Sequence, residues 1–173
     1  MVKSVFWCRF TKPFLHDGPL IVLPADASAK DYFNLLFPTA LWKTIVSETN
    51  HYIQQKGKPF VETFDAEMKA FIGLTMAMGI HRLPRIENYW NSLWVLNIRQ
   101  FTQIFTLKRY WFLWSSIHLV DNTQCVQRDH PDHDRLFKVR PLILKLNDTF
   151  PEHYRPQQNI SVDESMVRFK GRS

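Results

Sequence analysis

A cluster of potential metal ligands lies in a polar stretch of this sequence. His130, Asp132, His133 and Asp134 offer imidazole and carboxylate groups on both sides of Pro131. A structural zinc site needs four ligands that converge, and no regular period here would hold these side chains together. We therefore predict a solvated loop over residues 121–134 rather than a metal site.

One further carboxylate, Asp163, belongs to a segment with the period of a β-strand. Polar and apolar side chains alternate over residues 159–163, so Ile160 and Val162 should face one side and Asp163 the other. The apolar positions then change parity, which indicates a bulge, and a basic tail follows with Arg168, Lys170 and Arg172. An aspartate on a strand is seldom a ligand on its own. Since the sequence offers this strand no partner, we expect the rest of its sheet to be missing.

Residues 81–111 mix basic and aromatic side chains. Within them Glu87 is the only acidic residue, and seven aromatic residues are interleaved with the cations. Phosphates bind Lys and Arg, and exposed bases stack on aromatic rings, so this composition is typical of a nucleic-acid-binding segment. The alternative is a helical core with a basic rim, because several of the aromatics have core spacing. We expect the aromatics mainly inside, and the DNA-binding candidates are Arg82, Arg85, Arg99, Lys108 and Arg109.

The composition limits the class of protein. Hydrophobic residues make up 45% of the chain, which excludes a disordered protein, and the formal charge of +6 weakly favours a polyanionic partner. Cys8 and Cys125 are too far apart in sequence to form a zinc knuckle. No signal peptide and no run of about 20 apolar residues is present, so we expect an intracellular, soluble protein.

The first half of the chain has helical periodicity. It predicts a short helix over residues 31–37, a longer one that opens at Pro38 or Thr39, and a stop at Gly57 and Pro59. The longer helix should bury the face formed by Trp42, Ile45, Val46, Thr49, Tyr52 and Ile53.

A third helix is expected to begin with Thr63 as its N-cap. Asp65 and Glu67 would occupy the first turn, where the helix dipole favours negative charge, and the helix would run to Met78. Its second half is apolar on every face, which is typical of the centre of a bundle. Gly79 is predicted to end it in a left-handed conformation.

The two ends of the chain have different patterns. Residues 1–30 contain prolines and glycine without a helical period, so we predict an extended arm that leans on the domain. A last helix is predicted from residue 136 to about 150, with Pro141 in its first turn and with Pro151 and Pro156 breaking the chain after it.

The segment around Asp163 resembles a known family. Residues 159–173, NISVDESMVRFKGRS, are similar to the stretch around the first catalytic aspartate of piggyBac-type DNA transposases and of domesticated proteins derived from them. Further strings resemble the same family in the same order: DYFNL (31–35), ETNHY (48–52), MGIHRLP (78–84), YW (89–90) and KVRPL (138–142). The resemblance covers nearly the whole chain.

This resemblance implies an α+β, mainly α fold. A helical dimerisation and DNA-binding domain would be followed by the first strand of a truncated RNase H-like catalytic domain. The implied boundaries are an extended arm over residues 1–30, the helical domain over 31–155 and the start of the catalytic domain over 156–173.

The resemblance also implies a chemistry. In such enzymes three aspartates hold two divalent cations, usually Mg²⁺, which activate a water or a 3′-hydroxyl so that DNA is cut and joined at TTAA sites. Asp163 matches the first aspartate, and no residues remain for the other two. We therefore expect this piece to lack catalysis and stably bound Mg²⁺.

The partners that the resemblance implies are double-stranded DNA and a second copy of the chain, in the nucleus. It implies no membrane and no small-molecule substrate. The alternative is a domesticated or truncated module that keeps DNA binding and dimerisation without catalysis.

Overall fold

The structure is a computed structural model that describes residues 18–57, 61–93 and 98–156. Within these ranges the chain is mainly helical, with one two-stranded sheet, which confirms the prediction of an α+β, mainly α fold. Asp163, the predicted strand over residues 159–163 and the basic tail of Arg168, Lys170 and Arg172 lie outside the described residues. None of the described helices is both long and apolar enough to cross a membrane.

The first helix, α1 (Ala29–Leu36), begins two residues before the predicted start at Asp31. Its start is set by a capping box, in which the Asp31 amide donates to Ser28 Oγ at 3.4 Å and the Ser28 amide donates to Asp31 Oδ2 at 2.8 Å. The side-chain and backbone hydrogen bonds from Ser28 hold the pKa of Asp31 below its usual range. Helix α1 therefore includes the last two residues of the segment predicted as an arm.

The second helix, α2 (Thr39–Gln55), begins after Pro38, as predicted. It is followed by Gly57, whose φ of +63° is the left-handed conformation common after a helix end, so this predicted stop is confirmed. Four of the six residues predicted for the buried face are buried, namely Trp42, Ile45, Thr49 and Ile53. Val46 and Tyr52 are only half-buried, and Leu41 is buried although it was not predicted.

The third helix, α3 (Asp65–Ile80), differs from its prediction at both ends. Thr63 does not cap it; the capping position is Phe64, without a side-chain hydrogen bond. The backbone N–H and C=O of Thr63 instead bond to the Asn50 side chain, both at 2.9 Å. Gly79 lies inside the helix, which continues to Ile80 and leaves through an extended His81, so no left-handed residue is needed.

Helix α3 buries one face rather than all of its apolar surface. Met68, Phe71 and Leu74 are buried, whereas Met76 is 54% and Ile80 is 90% exposed within the described part of the chain. The prediction of a helix surrounded by a bundle was therefore wrong for the second half of α3.

An aromatic layer joins α3 to the segments that follow it. These are a 3-10 helix (Ile86–Trp90), α4 (Arg99–Ile104) and α5 (Leu107–Ser116). Tyr89 stacks on Phe101 with ring centres 4.8 Å apart. The centre of the Tyr110 ring lies 5.1 Å from that of Trp90 and 5.2 Å from that of Phe71. Most of the described aromatics of residues 81–111 are thus buried or half-buried, as predicted.

The last helix, α6 (Arg140–His153), has Pro141 in its first turn, as predicted. Pro151 does not end it, since the helix continues for two more residues to His153. The chain then forms β2 (Tyr154–Arg155), which pairs antiparallel with β1 (Gly18–Pro19). Residues 18–19 are therefore held beside the end of α6, and α1 also packs on α6.

Candidate nucleic-acid interface

The loop that carries Arg82 and Arg85 follows α3 directly and is held by a buried tyrosine. Tyr89 is 3% exposed, and its hydroxyl accepts the Leu83 amide at 3.0 Å. The same hydroxyl donates to the carbonyl oxygen of His81 at 2.5 Å, with the carbonyl oxygen of Met78 at 3.2 Å as a second acceptor. The loop backbone therefore has a defined shape although its surface is exposed.

Both arginines of this loop point their charge toward solvent. Arg82 is exposed and donates from Nε to the carbonyl oxygen of Gly79 at 3.1 Å, near the end of α3. Arg85 is exposed and occupies the capping position of the 3-10 helix. Neither makes an ion pair within the described residues.

Two further predicted cations lie in the first turns of helices. Arg99 is the first residue of α4 and Lys108 the second residue of α5, and both are exposed. The helix dipole disfavours a cation at this end by about 0.3–1 kcal/mol. Since neither side chain has an acidic partner in the described ranges, their charge is available to an external anion.

Trp90 connects the arginine loop to the start of α5. Its indole Nε1 donates to the carbonyl oxygen of Phe105 at 2.7 Å, immediately before the α5 N-cap. That N-cap is Thr106, whose hydroxyl accepts the amide of Arg109 at 3.2 Å. The adjacent residues Tyr89 and Trp90 thus contact both segments that carry exposed basic side chains.

Arg109, the fifth predicted cation, has a different environment. Its guanidinium forms a two-point ion pair with the Glu67 carboxylate, Nε to Oε1 and Nη2 to Oε2, both at 2.7 Å. It also donates to the carbonyl oxygens of Val61 and Glu62 at 3.0 and 3.4 Å. With 23% of its side chain exposed, Arg109 mainly joins α5 to the first turn of α3 and to the residues before it.

This contact favours the ionised form of the Glu67 carboxylate. Burial opposes ionisation, but the hydrogen bond from Arg109, the nearby Thr63 hydroxyl and the charge of the guanidinium together outweigh burial and hold the pKa of Glu67 below its usual range. The sequence placed Glu67 in the first turn of α3 and did not predict its partner, because the two residues are 42 positions apart.

The stretch with the four potential ligands forms a loop. His130 Nδ1 lies 3.7 Å from Asp132 Oδ2, whereas the carboxylate of Asp134 accepts from Arg140 Nη2 and Nε at 2.6 and 2.8 Å. His133 Nδ1 lies 2.8 Å from the carbonyl oxygen of Val126. Within the described ranges no group of three or more potential ligands is arranged to hold a metal ion.

The predicted site residues thus fall into three sets. Arg82, Arg85, Arg99 and Lys108 are exposed, Arg109 is engaged by Glu67, and Asp163 with the basic tail lies outside the described residues. Sequence reasoning missed the support from Tyr89. The YW string of the family resemblance was the only signal for it, since period alone makes Tyr89 an ordinary core residue.

Comparison with known proteins points to one family. The family model described as Transposase IS4 matches residues 28–173, which include Asp163 and the basic tail. Human PiggyBac transposable element-derived protein 5 is 27% identical over 87% of this chain and 29% of its own length. Human PiggyBac transposable element-derived protein 2 is 29% identical over 84% of this chain and 24% of its own length.

The chain therefore spans about a quarter to a third of the length of these relatives. No solved structure gives a significant match. Because the family model covers most of the chain, and the relatives carry the piggyBac name, the chain belongs to the IS4-type transposase family as a piggyBac-type relative.

Proposed function

We propose that this chain supplies the DNA-binding part of a piggyBac-type transposase and the first carboxylate of its catalytic site. The observation that carries the proposal is the family match, which extends from residue 28 through Asp163 to residue 173. The whole protein would cut DNA at the ends of a mobile element and join the freed 3′-hydroxyls to a TTAA target.

The described residues contribute the surface for the phosphate backbone. Arg82, Arg85, Arg99 and Lys108 are exposed and have no ion pair in the described ranges, so no ion pair among these residues must break when DNA binds. Such contacts position a protein on a duplex without reading its sequence. The aromatic residues beneath are mostly buried, so their role here is support rather than base stacking.

The catalytic step would belong to Asp163 together with two further aspartates of the whole protein. Carboxylate oxygens are the ligands that Mg²⁺ prefers, and two such ions stabilise the attacking and leaving oxygens of a phosphodiester. One aspartate cannot hold both ions. We extend the proposal to an RNase H-like catalytic domain, a homodimer and a nuclear location, on the family resemblance alone.

A second candidate function is a DNA-binding module without catalysis. It is favoured by the names of the human relatives, which describe them as derived from a transposable element. Such a protein would need the exposed basic surface and would not need Asp163.

The DNA surface can be tested by the salt dependence of duplex binding. Each phosphate that the protein neutralises contributes about 0.9 to the slope of log affinity against log salt. The triple variant Arg82→Ala, Arg85→Ala and Arg99→Ala should therefore flatten the slope measured by fluorescence anisotropy.

The matched control removes the same charge from the exposed loop before α6, with Arg128→Ala, Arg135→Ala and Lys138→Ala. It should leave the slope nearly unchanged. An unchanged slope in the first variant would instead place the DNA surface elsewhere, with Arg168, Lys170 and Arg172 as the next candidates.

A further inference from the structure

The hydroxyl of Tyr89 has more hydrogen-bond partners than a buried tyrosine requires. A single hydrogen-bond partner would satisfy it, yet it bonds to both the Leu83 amide and the His81 carbonyl oxygen, with the Met78 carbonyl oxygen also in range. These groups belong to the last turn of α3 and the loop after it. Arg82 lies between His81 and Leu83, so the backbone on both sides of Arg82 is held by one side chain.

We propose that Tyr89 is a positioning residue for DNA binding, because its hydroxyl holds the loop of Arg82 and Arg85 in the shape that meets the phosphate backbone. This inference rests on the proposed function of that loop. Tyr89 is buried and would not touch DNA itself.

The physical reason is the entropy of the loop. The hydroxyl is the acceptor that the structure gives to the Leu83 amide. Without it, the loop retains the bond from Arg82 to Gly79 and a turn bond from the Asn88 amide to the Arg85 carbonyl oxygen. A looser loop must be ordered when DNA binds, and the ordering cost reduces affinity.

The ring and the hydroxyl of Tyr89 can be separated experimentally. The ring packs on Phe101 with an angle of 16° between the planes, and Tyr89→Phe keeps this contact while it removes the hydroxyl. The protein also offers a matched control in Tyr110, which is fully buried. The Tyr110 hydroxyl lies 3.2 Å from Thr75 Oγ1 and 3.4 Å from Met78 Sδ, and makes no hydrogen bond to the arginine loop.

The experiment measures two quantities for the 173-residue chain. One is hydrogen exchange at the Leu83 amide, and the other is affinity for a duplex DNA of arbitrary sequence. Tyr89→Phe should accelerate exchange at Leu83 and weaken DNA binding about two- to tenfold, the effect of losing one hydrogen bond. Tyr110→Phe should neither accelerate exchange at Leu83 nor weaken DNA binding, although we expect both variants to lower the melting temperature.

A double-variant comparison distinguishes positioning from general loss of stability. In a background of Arg82→Ala and Arg85→Ala, Tyr89→Phe should produce no further loss of affinity, because the groups that it positions are gone. An equal loss in both backgrounds would overturn the inference, as would an equal loss in Tyr110→Phe.

Failure of the inference differs from failure of the proposed function. If Arg82→Ala with Arg85→Ala weakens DNA binding and Tyr89→Phe does not, the positioning role is wrong and the DNA surface stands. If Arg82→Ala with Arg85→Ala leaves affinity unchanged, the surface itself is wrong and the positioning role falls with it.

Discussion

Lys108 and Arg109 are adjacent cations in the first turn of α5, yet their surroundings give them different roles. Lys108 is exposed and forms no ion pair within the described ranges, whereas Arg109 donates hydrogen bonds to Glu67 and to two carbonyl oxygens. Arg109 also lies over the Phe112 ring at 5.2 Å. A cation at this helix end is disfavoured by the dipole, and only Arg109 is compensated internally.

The Glu67–Arg109 pair should therefore contribute to folding rather than to DNA binding. Glu67→Gln keeps the shape of the side chain but leaves the guanidinium without its counter-charge. We expect the free energy of unfolding, from urea denaturation, to fall by about 1.5–3 kcal/mol, the range for hydrogen bonds to charged groups.

The control for this change lies on the same helix. Lys69 pairs with Asp65 at 3.3 Å and its Nζ also lies 5.6 Å from the centre of the Trp42 ring, so Lys69→Gln, which removes both contacts, should cost about 1 kcal/mol or less. Equal losses in the two variants would show that the Glu67–Arg109 pair is worth no more than a surface contact.

At the scale of elements, one ion pair anchors the loop of residues 121–134 to the start of α6. Asp134 accepts two hydrogen bonds from the Arg140 guanidinium and a third from the Leu136 amide. The bond from Arg140, followed by that from Leu136, lowers the pKa of Asp134 to about 2. The loop is therefore tied down at its carboxyl end, although most of its surface is exposed.

This pKa predicts a pH dependence of stability. A carboxyl whose pKa is lower in the folded state adds stability that is present above about pH 4 and lost as the pH falls through about 2. In that window the unfolded Asp134 binds a proton that the folded Asp134 does not. Asp134→Asn should therefore reduce the proton uptake on unfolding by up to about one.

Unfolding free energies measured across this pH range provide the test. The same change at Asp132, which is 85% exposed and has no arginine partner in the described ranges, should leave the pH dependence closer to that of the parent. If the pH slope of Asp134→Asn equals that of the parent, the Arg140 contact does not shift the pKa as described.

The boundaries of elements were predictable where local chemistry sets them. Gly57 and Pro141 act through their own backbone dihedrals, so their positions could be read from the sequence. The prediction of Thr63 as an N-cap was wrong because the Asn50 side chain of α2 bonds to its backbone. The prediction of Gly79 as a helix end was wrong because α3 continues to Ile80. Tertiary contacts of this kind leave no local signal. The Ser28 capping box was a local signal that we missed.

At the scale of the whole molecule, β1 and α1 both lie against the α6 region, because β1 pairs with β2 directly after α6 and α1 packs on α6. The aromatic layer around Tyr89, Trp90 and Tyr110 supports the middle of the sequence, between α3 and α5, where the exposed arginines lie. The cations were predictable from composition. Which of them form an ion pair within the described ranges could not be predicted, because the pairing of Arg109 depends on Glu67, which is distant in sequence.

Asp163, which we propose as the first catalytic carboxylate of the whole protein, lies within the range that the family model matches. The direct measurement is excision of a mobile element by a full-length protein that contains this segment, compared with its Asp163→Asn variant. The amide keeps the shape of the side chain and removes the charge that binds the cations, so excision should be lost while DNA affinity is retained. Asp129→Asn, the same change in an exposed loop, should excise normally. Excision by Asp163→Asn at the original rate would contradict the catalytic assignment.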